Sequence, residues 1–210
     1  GLTPFKYASK WITVLDNPTV VNRQLWIPWR RCNDKLQHIL QQHADVDVIF
    51  GHFDIVGFKL NPTKLSTEGL SQSVFPTDIP IYTGHYHTPQ VYQNIRYLGS
   101  PYQLSLSEAE DKKSLIIIDT QYAVKKQLPL DIGPRQYKWS AEELIGRHAC
   151  LRKMDRVVVT ATATDNLLST VTQLESRGVA VHVKKKIEPS VTRIEQHTSL
   201  SPQQLFQNYG

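Results

Sequence analysis

Three histidines in two short motifs have the residue types and spacing to bind a metal ion. His85 and His87 belong to the segment Thr83-Gly-His-Tyr-His-Thr-Pro-Gln, and His52 belongs to Gly51-His-Phe-Asp. Neutral imidazole is a common metal ligand near neutral pH. A single Gly-His is more often a structural histidine, because this side chain is common in half-buried positions. The two motifs together favour a metal site.

Each motif follows an apolar run that is typical of a β-strand. Val46-Asp-Val-Ile-Phe50 precedes His52, and Ile79-Pro-Ile-Tyr-Thr precedes the second motif. Strands that both end in Gly-His place their histidines at the carboxyl ends of a sheet, where ligands commonly bind. Tyr86, between His85 and His87, is expected to pack under the loop.

The rest of the chain alternates strands with helices and predicts an α/β fold. A helix is expected from Asn33 to about His43, with Leu36, Ile39 and Leu40 on one face. Residues 57–78 contain proline and glycine and predict a surface loop. Further strands are expected at 10–15, 20–27, 91–98, 114–119 and 122–130.

A change of pattern after Pro129 predicts a boundary between two domains. Beyond it, a β-α-β unit is expected: a strand at 156–163, a helix that ends at Gly178, and a strand of alternating valines at 179–184. No apolar run approaches the ~20 residues of a membrane-spanning helix, which excludes such a segment from the sequence.

Charge gives modest support for an anionic partner. The formal net charge is +5, and residues 135–210 hold 11 Lys and Arg against 7 Asp and Glu. Basic side chains of this region could neutralise phosphates without reading bases. A solvated strand end with ordinary surface lysines is the alternative. The candidate nucleic-acid-binding residues are Arg152, Lys153, Lys184, Lys185 and Lys186, with Arg156 nearby.

The motifs resemble the second half of a calcineurin-type metallophosphoesterase. Their order and spacing are similar to those of the nuclease subunit of the SbcCD-type double-strand-break repair complex, especially its phage recombination endonuclease relatives. The resemblance covers residues 10–130 well and the rest more loosely. It is carried by Phe50-Gly-His-Phe-Asp-Ile, Tyr82-Thr-Gly-His-Tyr-His-Thr-Pro-Gln, Tyr97-Leu-Gly-Ser-Pro-Tyr, Glu108 and Lys113-Ser-Leu-Ile-Ile-Ile-Asp119.

The resemblance implies a ligand set and a domain plan. His52 and His85 would bind one metal and His87 the other in a two-manganese (Mn²⁺) site. The fold would be the second half of a two-sheet metallophosphoesterase sandwich followed by a small β-α-β capping domain that contacts DNA. The implied pieces are 1–131 for the nuclease domain, 132–200 for the capping domain and 201–210 for the start of a C-terminal helix.

One departure from the family limits what this chain is expected to do. The family also has Asp-x-His, Gly-Asp and Gly-Asn-His-Asp elements upstream of the first Gly-His, and residues 1–51 contain none of them. The ligand set is therefore partial, and no catalytic residue is assigned. We expect an internal fragment, a split gene product or a partial reading frame that is inactive alone.

The implied function is hydrolysis of phosphodiester bonds in DNA repair or recombination, as an exonuclease or endonuclease. The implied partners are double-stranded DNA, a coiled-coil ATPase subunit and a second copy of the nuclease in the complete complex, all in the cytoplasm. Two alternatives stay open. One is a non-catalytic DNA-binding or scaffold module that lost the upstream ligands, and the other is a phosphoesterase that acts on nucleotides or phosphoproteins.

Overall fold

A computed structural model describes residues 11–30, 33–61, 63–162 and 165–186. Its strands alternate with short helices, so the predicted α/β class is confirmed. The expected C-terminal helix at 201–210 lies outside the described residues. Among the residues described, no helix is long and apolar enough to span a bilayer.

The described chain forms thirteen strands and three α-helices. The strands are β1 (Thr19–Val21), β2 (Gln24–Arg30), β3 (Val48–Phe53), β4 (Lys59–Asn61), β5 (Lys64–Leu65), β6 (Ile81–Gly84), β7 (Gln90–Tyr92), β8 (Ile95–Tyr97), β9 (Ser114–Ile118), β10 (Val124–Pro129), β11 (Gln136–Ser140), β12 (Arg156–Ala161) and β13 (Ala180–Lys185). The helices are α1 (Asn33–Gln42), α2 (Ala141–Arg147) and α3 (Leu168–Ser176).

A six-stranded sheet in the order β1-β2-β3-β6-β8-β7 forms the larger part of the fold. β2, β3, β6 and β8 pair in parallel, and β1 and β7 pair antiparallel at the edges. Helix α1 buries Leu36 and Leu40 as predicted, because residues four apart lie on one helical face. They belong to the same buried cluster as Leu25, Ile49, Phe53, Ile81, Ile95 and Tyr97 from the strands.

The opposite face of this sheet carries a row of aromatic rings. The Trp26 ring stacks on Phe50 with centroids 4.3 Å apart, and Phe50 stacks on Tyr82 at 5.8 Å. The antiparallel pair β9–β10 lies beside this row, and Ile116 and Ile118 line a pocket with Phe50 and Tyr82. Trp26 remains 38% exposed. An apolar groove of about 870 Å³ runs along this face.

A separate three-stranded parallel sheet in the order β11-β12-β13 follows. Its strands and helices α2 and α3 share a second buried cluster, which includes Trp139, Leu144, Val157, Val159 and Leu174. The predicted strand–helix–strand pattern after residue 156 is confirmed by β12, α3 and β13. The predicted domain boundary, the sandwich and the capping role stay predictions.

Two local expectations were wrong, and a third, a loop with little regular structure, was confirmed in part. Residues 11–15 form no strand, and the first strand begins at Thr19. The expected strand 91–98 is a hairpin of β7 and β8, because the chain turns at Gln93 with a positive φ of 50°. The expected loop 57–78 contains the small antiparallel pair β4–β5.

The sequence analysis also missed β11 and α2. The signal was present, because Ser140 and Glu143 have the spacing of a capping box. The Ser140 side chain accepts the Glu143 backbone N–H, and the Glu143 carboxylate accepts the Ser140 backbone N–H. This reciprocal pair fixes the start of α2 directly after β11.

Candidate functional site

Parallel pairing of β3 with β6 brings the two Gly-His motifs together. The register sets His52 opposite Gly84, so both strands end at the same edge of the sheet. The ring of His52 lies 5.4 Å from the ring of His85 in an edge-on arrangement. The expectation that the two motifs meet at one sheet edge is confirmed.

Gly84 allows the close approach of the two histidines. A Cβ atom at this position would lie 2.9 Å from His52 Nδ1, closer than real Cβ contacts allow. Partial burial lowers the pKa of His52 below its usual value, and the nearby His85 and His87 lower it further. His52 is therefore neutral at neutral pH and keeps a lone pair for a ligand.

The backbone of His85 is strained. Its φ of 99° lies in the left-handed region that residues with a Cβ rarely adopt. Such strain persists where the surrounding structure imposes it, and it concentrates at functional sites. His85 Nε2 lies 3.9 Å from Asp54 Oδ2, a carboxylate that the first Gly-His motif supplies two residues after His52.

Tyr86 packs beneath the loop, as predicted, with 4% of its surface exposed. Its hydroxyl donates to the Asp54 carboxylate and lies 3.2 Å from the Ile55 carbonyl oxygen. Burial and the Asp54 hydrogen bond together raise the pKa of Tyr86 to about 12. Tyr86 thus stays protonated and holds Asp54 beside His85.

His87 lies in a different environment, next to a buried carboxylate. Its Nδ1 is 3.1 Å from Glu108 Oε1. The Glu108 carboxylate also accepts hydrogen bonds from Ser100 Oγ at 2.9 Å and from Lys113 Nζ at 2.8 Å. In neutral His87 this carboxylate favours the proton on Nδ1, which leaves the lone pair on Nε2. Glu108 therefore fixes the orientation of an exposed imidazole and leaves its Nε2 directed away from the carboxylate.

Glu108 is charged because its partners outweigh its burial. Burial alone would raise the pKa of this carboxyl, but hydrogen bonds from Lys113 and Ser100 and the charge of Lys113 lower it to about 2. Lys113 Nζ also donates to the His87 carbonyl oxygen at 2.7 Å. The Glu108–Lys113 pair therefore holds both the ring and the backbone of His87.

These donors do not form a complete metal site. Across the described residues, no group of three or more His, Cys, Asp or Glu side chains is placed to hold a metal ion. His52 and His85 are paired with each other, whereas His87 turns its Nδ1 towards Glu108. The ligand set of His52, His85 and His87 and the use of manganese stay predictions.

The candidate nucleic-acid-binding residues lie in two separate groups. Arg152 and Lys153 precede β12, and Arg152 pairs with Asp131 at 3.1 Å. Lys184 and Lys185 end β13, and Lys186 follows it. Because β12 and β13 are parallel, the two groups lie at opposite ends of the small sheet. They form no single patch, and their role in binding stays a prediction.

Sequence reasoning gave no role to Asp54, Glu108 or Lys113. Asp54 could have been recognised from the sequence as a candidate site residue, because it directly follows the Gly-His-Phe segment. Glu108 lies 21 residues beyond His87, and no local pattern reveals that contact.

The sequence is distantly similar to a curated phage protein. No family model matches the sequence. The chain is 26% identical over 188 residues to "Exonuclease subunit 1" of Enterobacteria phage T4. The match covers 86% of this chain and 54% of that protein, so the chain spans about half the length of the curated relative it matches.

Proposed function

We propose that this chain is part of a metal-dependent DNA nuclease subunit that hydrolyses phosphodiester bonds in DNA repair or recombination. The observation that carries the proposal is the His52–His85 pair at the ends of two adjacent parallel strands. The similarity to a phage exonuclease subunit over 86% of the chain gives independent support.

In this proposal the histidines supply part of a manganese-binding donor set. His52 and His85 would hold one ion and His87 a second, with further carboxylate and histidine donors from upstream elements of the complete protein. A bound divalent ion would supply a Lewis acid and an activated water. Within this chain, Gly84 permits the His52–His85 approach, and Glu108 fixes the direction of His87 Nε2.

Reconstitution of cleavage tests the proposal. The chain alone should not cleave duplex DNA above the level of a His52→Ala variant. A polypeptide that carries the Asp-x-His and Gly-Asn-His-Asp elements should restore manganese-dependent cleavage. His38, exposed on α1, provides the matched control, and His38→Ala should leave the restored activity unchanged.

Two outcomes of that experiment would change the conclusion. Robust cleavage by the chain alone would mean that other groups complete the site. DNA binding without any restored cleavage would favour a non-catalytic DNA-binding or scaffold module.

Calorimetric titration with manganese tests the donor set without activity. We expect at most one weak site, because residues 1–51 contain none of the upstream elements that supply the carboxylate that bridges the two metals in the family. The site should be lost in a His85→Ala, His87→Ala double variant and kept in His38→Ala. Two tight sites in the isolated chain would contradict the partial-site proposal.

We also propose a coiled-coil ATPase and a second nuclease copy as partners in the complete complex. The word "subunit" in the name of the phage relative supports assembly with other chains. Interferometry with the purified ATPase and the complete nuclease subunit tests this partner, and no measurable binding would contradict it.

A further inference from the structure

The side-chain amide of Gln103 joins the smaller sheet, β11-β12-β13, to the segment that orients His87. The backbone N–H of Gln136, the first residue of β11, donates to Gln103 Oε1. The Nε2 group of Gln103 donates to the Asp111 carbonyl oxygen at 3.2 Å. Only one orientation of the amide satisfies both contacts, because a backbone N–H needs the oxygen and a carbonyl needs the NH₂ group. Gln103 is therefore fixed between β11 and Asp111.

The contact with Gln136 ties this segment to the smaller sheet. Gln136 is 4% exposed, and it begins a strand that pairs in parallel with β12. A buried backbone N–H that loses its acceptor is costly, so this donor holds the Gln103 side chain in place. The linker before β11 packs on the neighbouring residue, since a Cβ atom at Gly133 would lie 2.8 Å from Tyr102 Cγ. Tyr102 and Gln103 are thus both fixed to the smaller sheet.

From Asp111 the contacts reach the backbone beside His87. Asp111 Oδ2 accepts a hydrogen bond from Thr88 Oγ1 at 2.9 Å and lies 3.4 Å from Lys113 Nζ. Thr88 directly follows His87, whose carbonyl oxygen accepts a hydrogen bond from Lys113. Asp111 therefore fixes the chain on the C-terminal side of His87 through two partners.

A second set of contacts runs from the residues after Gln103 to the Glu108 carboxylate. The backbone N–H of Leu104 donates to Glu108 Oε2 at 3.3 Å, and Ser105 Oγ donates to Oε1 at 3.1 Å. The same Oε1 atom lies 3.1 Å from His87 Nδ1. Glu108 is 3% exposed, and in a poorly solvated network each hydrogen bond strengthens its neighbours. A displacement of Gln103 therefore changes the position of the carboxylate that orients the imidazole.

We propose that Gln103 is a positioning residue that couples the location of the smaller sheet to the orientation of the His87 imidazole. This inference rests on the proposed nuclease function, which makes His87 Nε2 a metal ligand. Any molecule that displaces β11 relative to the larger sheet changes the direction of that nitrogen through Gln103. Because coupling between two sites is reciprocal, a ligand on His87 in turn favours one location of the smaller sheet.

Heteronuclear NMR of the 210-residue chain, labelled with ¹⁵N, tests the proposal. EDTA is present, so that no metal contributes, and the solution is alkaline enough to keep the histidine rings neutral. Gln103→Ala removes both contacts, whereas Gln103→Glu keeps an acceptor for Gln136 but has no donor for Asp111. Gln127→Ala is the matched control, because Gln127 lines the same pocket as Gln103 but donates to Ser114.

The expected result is a local change at both ends of the coupling. In Gln103→Ala the Gln136 amide should exchange with solvent about tenfold faster, since its acceptor is gone. The ¹⁵N signals of the His87 ring should move towards those of an unrestrained imidazole, because the carboxylate that holds it shifts. Gln103→Glu should restore the protection of the Gln136 amide and only part of the His87 shift. The His38 ring signals should not move in any variant, and Gln127→Ala should leave those of His87 unchanged.

Three results would overturn the proposal. They are unchanged His87 ring signals in Gln103→Ala, an equal shift in Gln127→Ala, and full recovery of the His87 signals in Gln103→Glu. The last would show that the side chain acts only by filling space. If Gln103→Ala does not fold, Gln103→Glu decides alone, because a His87 shift beside a protected Gln136 amide requires the missing donor to Asp111.

Failure of this inference and failure of the proposed function are distinguishable. A His87 shift in Gln103→Ala together with failed reconstitution of cleavage would leave the coupling supported and the nuclease proposal wrong. Restored cleavage with unchanged His87 signals in Gln103→Ala would support the nuclease and refute the coupling.

Discussion

Helices pack against one face of each sheet, and the opposite faces of the two sheets differ in chemistry. On the larger sheet this opposite face presents the aromatic row of Trp26, Phe50 and Tyr82, which β9 adjoins. On the smaller sheet it presents Lys138, Arg156 and Lys184 in exposed positions. The same strand alternation produces both surfaces.

Because one face is apolar and the other basic, the two faces are expected to contact different kinds of molecule. Apolar surface gains about 25 cal/mol per Å² when it is removed from water, which favours cover by other apolar groups. A basic face loses hydration when it is buried but gains from counterion release when a polyanion binds. His52 shares its face of β3 with Phe50, because they are two residues apart on one strand. The histidine pair therefore lies at the edge of the aromatic face.

The largest expected effect is on stability, and it compares a substitution on the helix-covered face of the larger sheet with one on its aromatic face. Phe53 is fully buried on the helix side of β3, whereas Phe50 is half-buried on the aromatic side. Phe53→Ala should lower the free energy of unfolding by about 4 kcal/mol because it leaves a cavity in a closed core. Phe50→Ala should cost about half as much in urea denaturation. Equal losses would mean that both faces are equally covered.

The second prediction concerns the junction between the sheets. Glu108→Ala should cost about 3 kcal/mol, because it leaves the buried Lys113 ammonium without its carboxylate. A Glu108→Ala, Lys113→Met double variant should recover part of that loss, since neither charge then remains. The exposed Glu110 supplies the control through Glu110→Gln, which should change little. A double variant less stable than the single one would contradict this account.

The third prediction is a pH dependence from the same carboxyl. The folded-state pKa of Glu108 is about 2, below its ordinary value of 4.5. The contribution of ionised Glu108 to the free energy of unfolding is therefore fully present above about pH 4.5 and is lost as the pH falls towards 2. About 3 kcal/mol should disappear over that interval. The free energy of unfolding of Glu108→Gln should fall less steeply in the same acid range, and parallel curves would refute the assignment.

The sequence predicted the elements whose signals are local. Helix α1 has apolar residues at helical spacing, and β3 and β6 are apolar runs that end in Gly-His. β11 was missed although Tyr137 and Trp139 alternate with polar residues, which is the pattern of a half-buried strand. The Glu108–His87 contact could not be predicted, because it depends on how distant segments pack. The basic face of the smaller sheet likewise required the register of three strands.

The smallest expected stability changes come from substituting two glycines, one in each part of the molecule. Gly84 has an ordinary φ but lies against His52, and a methyl group there would displace the imidazole ring. Gly84→Ala should therefore cost about 1 kcal/mol and shift the His52 ring signals in NMR spectra. Gly146 in α2 has no atom within 4 Å of its added Cβ. Gly146→Ala should raise the free energy of unfolding by about 0.5–1 kcal/mol, because alanine favours the helix.

The NMR spectra separate a local displacement from a general loss of structure. In Gly84→Ala the ring signals of His52 should move most, those of His85 less, and those of His38 on α1 hardly at all. Histidine shifts of similar size throughout the chain would show that the substitution disturbs the whole sheet. Unchanged His52 signals would mean that the ring does not lie against Gly84, and the close histidine pair would then have to be abandoned.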